Sequence, residues 1–182
     1  MKKSAIFDMV CVSIMAAFIA VCSWITIPFI VPFTLQTFGV FLVFKILGGK
    51  LGTISIALYI FLGAIGCPVF HNFHSGIYHI IGPTGGYIIG FLASGITYIA
   101  LNKIKIFIPK ILILLFSLLP CYLFGTAWFS FVYIKNVSIN IIYVISICVV
   151  PFIIPDIFKI LVADLVGEKL KKFLKLFISK AK

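Results

Sequence analysis

The chain has 182 residues, of which 63% are hydrophobic and only 10% are charged, and its mean hydropathy is +1.29. This apolar share far exceeds that of a soluble globular domain, so the composition excludes a water-soluble enzyme or binding domain. The formal net charge is +11, and nearly all of the lysines fall at the ends of apolar segments. We therefore predict an all-α integral membrane protein in which residues 1–182 form a single domain.

The apolar segments have about the 17 to 25 residues that a helix needs to cross the hydrocarbon core, and they lack the alternation of barrel strands. The first follows Lys2 and Lys3 as in a signal peptide, but it exceeds the usual length of about 7 to 15 residues, so we expect it to be retained. We predict six transmembrane helices, at residues 5–27, 34–47, 51–66, 85–101, 108–133 and 152–170.

Residues 138–150 are also apolar but precede two prolines, Pro151 and Pro155. Proline fits the first turn of a helix better than its middle, so we start the last helix at these prolines. Residues 138–150 are then expected to form an extra helix or a cap at the surface.

The distribution of lysines predicts the orientation in the membrane, because lysine is enriched in cytoplasmic segments. With the N terminus inside, one outer loop contains a lysine, Lys135, and both termini are cytoplasmic. The basic C-terminal tail directly follows a membrane helix, so we expect it to meet anionic lipid rather than nucleic acid. The lysines assigned to the cytoplasmic side are Lys2, Lys3, Lys45, Lys50, Lys103, Lys105, Lys110, Lys169, Lys171, Lys172, Lys175, Lys180 and Lys182.

Asp156 and Lys159 lie one helical turn apart within the apolar last helix. An ionisable side chain at membrane depth costs about 2.5 to 3.5 kcal/mol on insertion scales, so it normally faces a cavity, the bundle interior or a partner charge. Positions i and i+3 share one helix face, so the two side chains can pair or converge on one ligand. We predict a polar substrate site here, with a purely structural ion pair as the alternative.

Motifs for nucleotide hydrolysis or metal binding are weak. Residues 48–53 superficially look like a phosphate-binding loop but lack the required GxxxxGK pattern, so we expect no ATP hydrolysis. His71, His74 and His79 share one connection, and two histidines at i and i+3 can converge on an ion. Because no acidic or cysteine partner lies nearby in the sequence, we interpret them as polar loop residues and predict no metal and no cofactor.

Four motifs in order carry a family resemblance. They are VPFTLQ at residues 31–36, GAIGCPVF at 63–70, GPTGGY at 82–87, and PF followed by PDIFK at 151–159. Together they resemble the BioY family, the biotin-binding S component of energy-coupling factor (ECF) transporters. The resemblance implies a six-helix, ECF S-component-like bundle in the bacterial cell membrane, and it implies biotin as the ligand. The chain differs from the family pattern in Ile154 and Pro155, where a glycine usually precedes the aspartate.

The chemistry of biotin agrees with the residues of these motifs. Biotin joins a ureido head to an apolar ring and a carboxylate tail, so it requires polar groups, hydrophobic walls and a cation. We expect Lys159 to meet the carboxylate, and Asp156 to accept ureido N–H groups or to orient Lys159. Further substrate-binding residues predicted on the outer side are Asn72, Thr34, Gln36, Gly85, Gly86 and Tyr87, where the glycines allow either close ligand approach or tight helix packing.

The resemblance also implies partners, namely a transmembrane T component and two cytoplasmic ATPases. Ala16 and Ala20 lie four apart on the first helix, and such a small-residue face lets another helix approach closely. It resembles the AxxxA docking feature of S components, with packing inside the bundle as the alternative. Two rival functions remain: an S component or carrier for a different vitamin, and an intramembrane enzyme.

Overall fold

The computed structural model describes residues 2–29, 31–104, 109–133 and 141–180, which are predominantly helical. Two short antiparallel strands, β1 (Thr26–Ile27) and β2 (Phe33–Thr34), and a 3-10 helix at His71–Phe73 connect the helices at one end of the bundle. We call this end the loop end. The described α-helices are α1 (Lys2–Trp24), α2 (Gln36–Ala64), α3 (Ile77–Ile81), α4 (Gly85–Lys103), α5 (Lys110–Phe116), α6 (Leu119–Tyr133), α7 (Ile141–Cys148) and α8 (Val150–Lys180).

Helix α2 reverses direction at Gly48. This glycine has φ 80° and ψ 179°, a backbone conformation that is essentially restricted to glycine. A Cβ atom on Gly52 would lie 3.4 Å from the Cα atom of Phe44, although residues eight apart in a straight helix are separated by about 12 Å. The Gln36 side-chain amide also donates a hydrogen bond to the hydroxyl of Tyr59, at 3.2 Å. α2 is therefore a helical hairpin.

The two limbs of this hairpin, residues 36–47 and 49–64, correspond to the second and third predicted helices. By length and composition, five helical segments can cross a membrane within the described residues, and α2 is one of them. Counting its limbs separately gives six apolar helical passes. The prediction of an all-α bundle with six transmembrane helices is therefore confirmed when the hairpin α2 is counted as two helices. The five segments are Ala5–Trp24, Gln36–Ala64, Gly85–Lys103, Lys110–Val132 and Ile142–Phe173.

The predicted boundaries at the start of the chain and around the fifth helix need correction. The first helix ends at Trp24 rather than at residue 27, because Thr26 and Ile27 pair with β2. The predicted helix at 108–133 is divided into α5 and α6, and Pro120 occupies the first turn of α6, where its missing N–H costs little. Residue 108 itself lies outside the described residues.

The region around the prolines of the last helix partly matches the prediction. Pro151 lies in the first turn of α8 as expected, but Pro155 lies inside the helix, which runs to Lys180 rather than ending at residue 170. The extra helix is α7, and residues 138–140 lie outside the described residues. α7 is more than a surface cap, because Val144 and Cys148 are buried.

Close helix packing holds the bundle together, with α4 packed against both α2 and α6 and with α1 and α8 packed on α2. A side chain added at Gly90 of α4 would meet the backbone of Cys121 on α6, and one at Gly95 would meet Thr53 on α2. Small residues at such crossings let helix backbones approach closely in a membrane, where packing replaces the hydrophobic effect as the driving force.

A buried ion pair joins α2 to α8 below the loop end. Lys45, which the sequence places among the lysines of the cytoplasmic interface, is only 7% exposed and forms a salt bridge with Asp164. Gly167 leaves room for the Lys45 stem, because a Cβ atom there would lie 2.5 Å from its Cγ atom. Lys45 therefore pairs within the bundle rather than projecting freely into an interface.

Candidate functional site

A cavity opens at the loop end of the bundle, among the helices α2, α4, α6 and α8 and the β2 connection. The empty space of this cavity, together with its open mouth, is about 660 Å³. Its lining consists of an apolar group (Val31, Pro32, Phe70, Ile88, Phe91, Leu118, Cys121, Phe152) and a polar group (Thr34, Gln36, Thr37, Tyr59, His71, His79, Thr84, Tyr87, Tyr122, Asp156, Lys159).

Asp156 and Lys159 form an ion pair on the α8 side of the cavity. The Lys159 Nζ atom lies 2.9 Å from Oδ1 of Asp156, and the two residues are 8% and 4% exposed, respectively. Lys159 also donates a hydrogen bond to the Thr34 carbonyl oxygen at 2.7 Å, and its Nζ atom lies 4.1 Å from the centre of the Phe33 ring. The hydroxyl of Tyr122 donates to Oδ2 of Asp156 at 2.8 Å.

These contacts explain how two charges are tolerated in an apolar bundle. Removing both charges from water costs several kcal/mol per ion, and the pair offsets this cost only when further hydrogen bonds satisfy its remaining atoms. Here each Asp156 oxygen accepts one hydrogen bond, and two of the three Lys159 N–H groups have acceptors among the described residues. One N–H group of Lys159 is therefore left for another acceptor.

Two predicted polar residues, Thr34 and Gln36, also line the cavity. The Thr34 hydroxyl accepts a hydrogen bond from the Gln36 backbone N–H at 3.3 Å, and the Gln36 amide holds the Tyr59 hydroxyl. Tyr87, also predicted, lines the cavity and donates to the Cys148 carbonyl at 3.0 Å. Of the eight predicted substrate-binding residues, the structure brings five together at one cavity.

The other three predicted residues do not line the cavity. Asn72 is exposed in the 3-10 helix with φ 53°, and its neighbour His71 is the one that borders the cavity. The two glycines allow tight packing rather than close ligand approach. A side chain on Gly85 would collide with the Ile80 carbonyl, and one on Gly86 would collide with Trp128. These glycines shape the helix contacts around the cavity rather than its surface.

The predicted docking residues Ala16 and Ala20 are buried, with only 1% and 4% exposure, in the main hydrophobic core. α1 uses this face to pack within the bundle, which is the alternative that the sequence left open. A partner helix has no access to these alanines in this structure. The adjacent positions Ser13 and Ala17, also four apart, are exposed.

Sequence reasoning predicted Tyr87 but missed two other tyrosines of the lining, Tyr59 and Tyr122, and the histidines His71 and His79. Tyr59 and Tyr122 lie on apolar helices, and nothing in the spacing marks them as partners of Gln36 and Asp156. A polar aromatic residue inside a membrane helix, with a hydroxyl that needs a partner when buried, is the signal that points to such positions.

His71 and His79 border the mouth of the cavity in the loop that we interpreted as merely polar. Burial lowers the pKa of His71 to about 4, and the neighbouring rings of His79 and His74 add to this effect. Burial and the His74 ring likewise lower the pKa of His79. Both side chains are consequently neutral near pH 7. One ring nitrogen from each of the three histidines lies within 4.8 Å of the other two.

Comparison with known proteins agrees with this architecture. The model of the BioY family matches residues 1–176. The chain belongs to the BioY family. It is 43% identical over 142 residues to the probable biotin transporter BioY of Pyrococcus horikoshii, covering 78% of this chain and 81% of that protein. It is 40% identical over 167 residues to the biotin transporter BioY of Thermotoga maritima, covering 87% and 92% of the two chains.

A solved structure shows the same fold. The crystal structure of the S-component for biotin from an ECF-type ABC transporter superposes with a TM-score of 0.79 at 26% sequence identity, covering 94% of each chain. The six-helix bundle predicted from the four motifs is therefore the architecture of an S component. BioY proteins are transporter subunits, so this chain is not an enzyme.

Proposed function

We propose that this protein is the biotin-binding S component of an ECF-type uptake transporter. The proposal rests on the buried Asp156–Lys159 ion pair, which lines a cavity with apolar walls. The names of the relatives and of the solved structure support biotin as the ligand. The loop end then faces the outside of the cell and both termini face the cytoplasm, as the lysine distribution favours.

The residues that line the cavity are chemically complementary to each part of biotin. The ammonium of Lys159, with one N–H group left, meets the carboxylate, and Asp156 or Gln36 accepts the ureido N–H groups. The aromatic and aliphatic walls, among them Phe91 and Phe152, enclose the sulfur ring. Asp156 also orients Lys159 for this contact.

The experiment that tests the ligand is binding to the purified subunit in detergent. Biotin should give saturable binding in isothermal titration, whereas riboflavin and thiamine at the same concentrations should not. Mass spectrometry of the small molecule that co-purifies should identify unchanged biotin. A different vitamin recovered from the protein, or binding that does not prefer biotin, would overturn the proposal.

The transport step requires a motor, because the chain carries a ligand cavity but no nucleotide-binding motif. We propose that a transmembrane T component and two cytoplasmic ATPases supply it. Because Ala16 and Ala20 are buried, we propose the exposed small residues Ser13 and Ala17 as the site of a close helix contact on α1. Biotin uptake in cells that express the subunit with and without these partners tests the assembly, and full uphill uptake without them would contradict it.

A further inference from the structure

The loop between α2 and α4 gathers the histidines of the chain into one cluster at the mouth of the cavity. His71 lies in the 3-10 helix, His74 directly follows it, and His79 lies on α3. Their ring centroids are 4.5 to 5.5 Å apart, and one nitrogen from each ring lies within 4.8 Å of the others. We propose that these three side chains bind a divalent transition-metal ion such as Zn²⁺.

The distances fit such an ion after a small adjustment of the side chains. A tetrahedral zinc ion with bonds of about 2.0 to 2.1 Å holds its ligand nitrogens about 3.4 Å apart. The rings of the cluster need to close by at most about 1.4 Å, which rotation about the side-chain bonds of the exposed His74 supplies. Imidazole nitrogen suits zinc, cobalt, nickel and copper, whereas magnesium and calcium select oxygen ligands.

The backbone of the loop holds the three residues in position without a metal. The His74 N–H donates to the His71 carbonyl at 3.1 Å, the Phe70 N–H donates to the His74 carbonyl at 3.0 Å, and Gly76 bonds back to Gly63 on α2 at 2.7 Å. The left-handed conformations of Asn72 and Phe73, with φ 53° and 59°, turn the chain tightly between the first two histidines. Such a pre-formed turn lowers the conformational entropy that ion binding would otherwise remove.

The rings also have the supporting contacts that metal ligands require. The His74 Nδ1 atom lies 2.9 Å from the His71 carbonyl oxygen, and with hydrogen on Nδ1 this contact leaves Nε2 free to coordinate. The buried Phe70 ring stacks on His79 at 5.2 Å between centroids and fixes its plane.

The position of the cluster determines how an ion would reach it and what a bound ion would do to the loop. His74 is exposed to solvent, whereas His71 and His79 border the cavity. Three histidines leave a fourth tetrahedral position for water or another ligand. A bound ion would connect the 3-10 helix to α3 across the mouth of the cavity, so it should stabilise this loop against unfolding.

The test uses the full chain in detergent, purified without a polyhistidine tag and stripped of metal with a chelator. Isothermal titration and elemental analysis should show about one Zn²⁺ per chain. Zn²⁺ should raise the unfolding temperature, and Mg²⁺ at the same concentration should not. Co²⁺ should give the intense visible absorption of a tetrahedral site without the near-ultraviolet band of a thiolate ligand. Absence of stoichiometric Zn²⁺ binding by the parent would overturn the proposal.

Matched variants assign the ligands. His74→Gln changes an exposed side chain and should weaken Zn²⁺ binding at least 10- to 100-fold, and His79→Gln should do the same. Tyr78→Phe on the same helix and Cys67→Ser before the loop should leave binding unchanged. Zn²⁺ affinity that survives both histidine substitutions, or that is lost in Cys67→Ser, would contradict the three-histidine site. The readout is Zn²⁺ binding rather than biotin binding, so the outcome is separate from that for the proposed transport function.

Discussion

The Lys159 side chain carries a buried charge in an apolar bundle, and several contacts stabilise that charge. Its ammonium is anchored by Asp156 and the Thr34 carbonyl, and it lies over the face of Phe33. The aromatic face attracts the cation, and Phe33 in turn stacks on the buried Phe152 at 5.3 Å. This support holds the ammonium in place at the cavity wall, so the proposed contact with a ligand carboxylate would need no reorganisation of Lys159.

We expect Lys159→Ala to weaken biotin binding by about 2 to 5 kcal/mol, the range for truncating one partner of a buried charged contact. Isothermal titration of the purified variant measures the loss, and biotin amide serves as the matched ligand without a carboxylate. The variant should lose more affinity for biotin than for the amide. Equal losses for the two ligands would rule out Lys159 as the carboxylate partner.

The hydrogen bond from Tyr122 to Asp156 permits a finer test of the aspartate. Tyr122→Phe should leave the ion pair in place and lower the free energy of unfolding by about 1 to 3 kcal/mol, because Oδ2 then loses a buried partner. Asp156→Asn should harm binding less than Lys159→Ala if the aspartate accepts a ureido N–H, since an amide oxygen still accepts. A larger loss in Asp156→Asn would instead assign the aspartate to the support of Lys159.

At the scale of secondary-structure elements, the reversal of α2 at Gly48 determines where the cavity residues meet. The hairpin returns the chain to the loop end, so that Gln36 at the start of one limb reaches Tyr59 near the end of the other. A straight helix of the same 29 residues would separate these side chains by about 35 Å. The cavity therefore depends on a turn at the opposite end of the bundle.

We predict that Gly48→Ala destabilises the protein by about 1 to 3 kcal/mol, because alanine is strained at φ 80° and ψ 179°. Nothing lies within 4 Å of an added Cβ atom, so the effect would report backbone strain rather than a collision. Thermal unfolding in detergent measures it, and Lys50→Ala at the exposed neighbouring position is the control. An unchanged unfolding temperature in Gly48→Ala would mean that the turn relaxes without cost.

On helix α1 the buried Ala16 is followed by the exposed Ala17. Substitutions at these two positions can therefore distinguish packing within the bundle from docking of a partner. Ala16→Trp should lower stability by about 1 to 3 kcal/mol or more, because it overpacks the core. Ala17→Trp should leave stability and biotin binding unchanged but block uptake by the complete transporter. Normal uptake in Ala17→Trp would show that a partner does not contact this face.

For the whole molecule, the sequence was sufficient to predict an integral membrane protein, six helical passes and the proximity of Asp156 and Lys159. These features can be predicted because the length of an apolar segment and a charge within it are local properties of the sequence. It was not sufficient for contacts between elements. The hydrogen bond of Lys159 to Thr34 and the pairing of Lys45 with Asp164 join residues that are distant in sequence. Burial of Ala16 likewise depends on which helix packs against it, and no spacing rule supplies that information.

The proposed role of the whole molecule is most directly tested by a structure of the purified protein saturated with biotin. We expect the ligand in the cavity at the loop end, with its carboxylate within hydrogen-bond distance of Lys159 Nζ and its ring between the apolar walls around Phe91 and Phe152. Biotin bound outside this cavity, or a carboxylate directed away from Lys159 while the ion pair with Asp156 stays closed, would contradict the account.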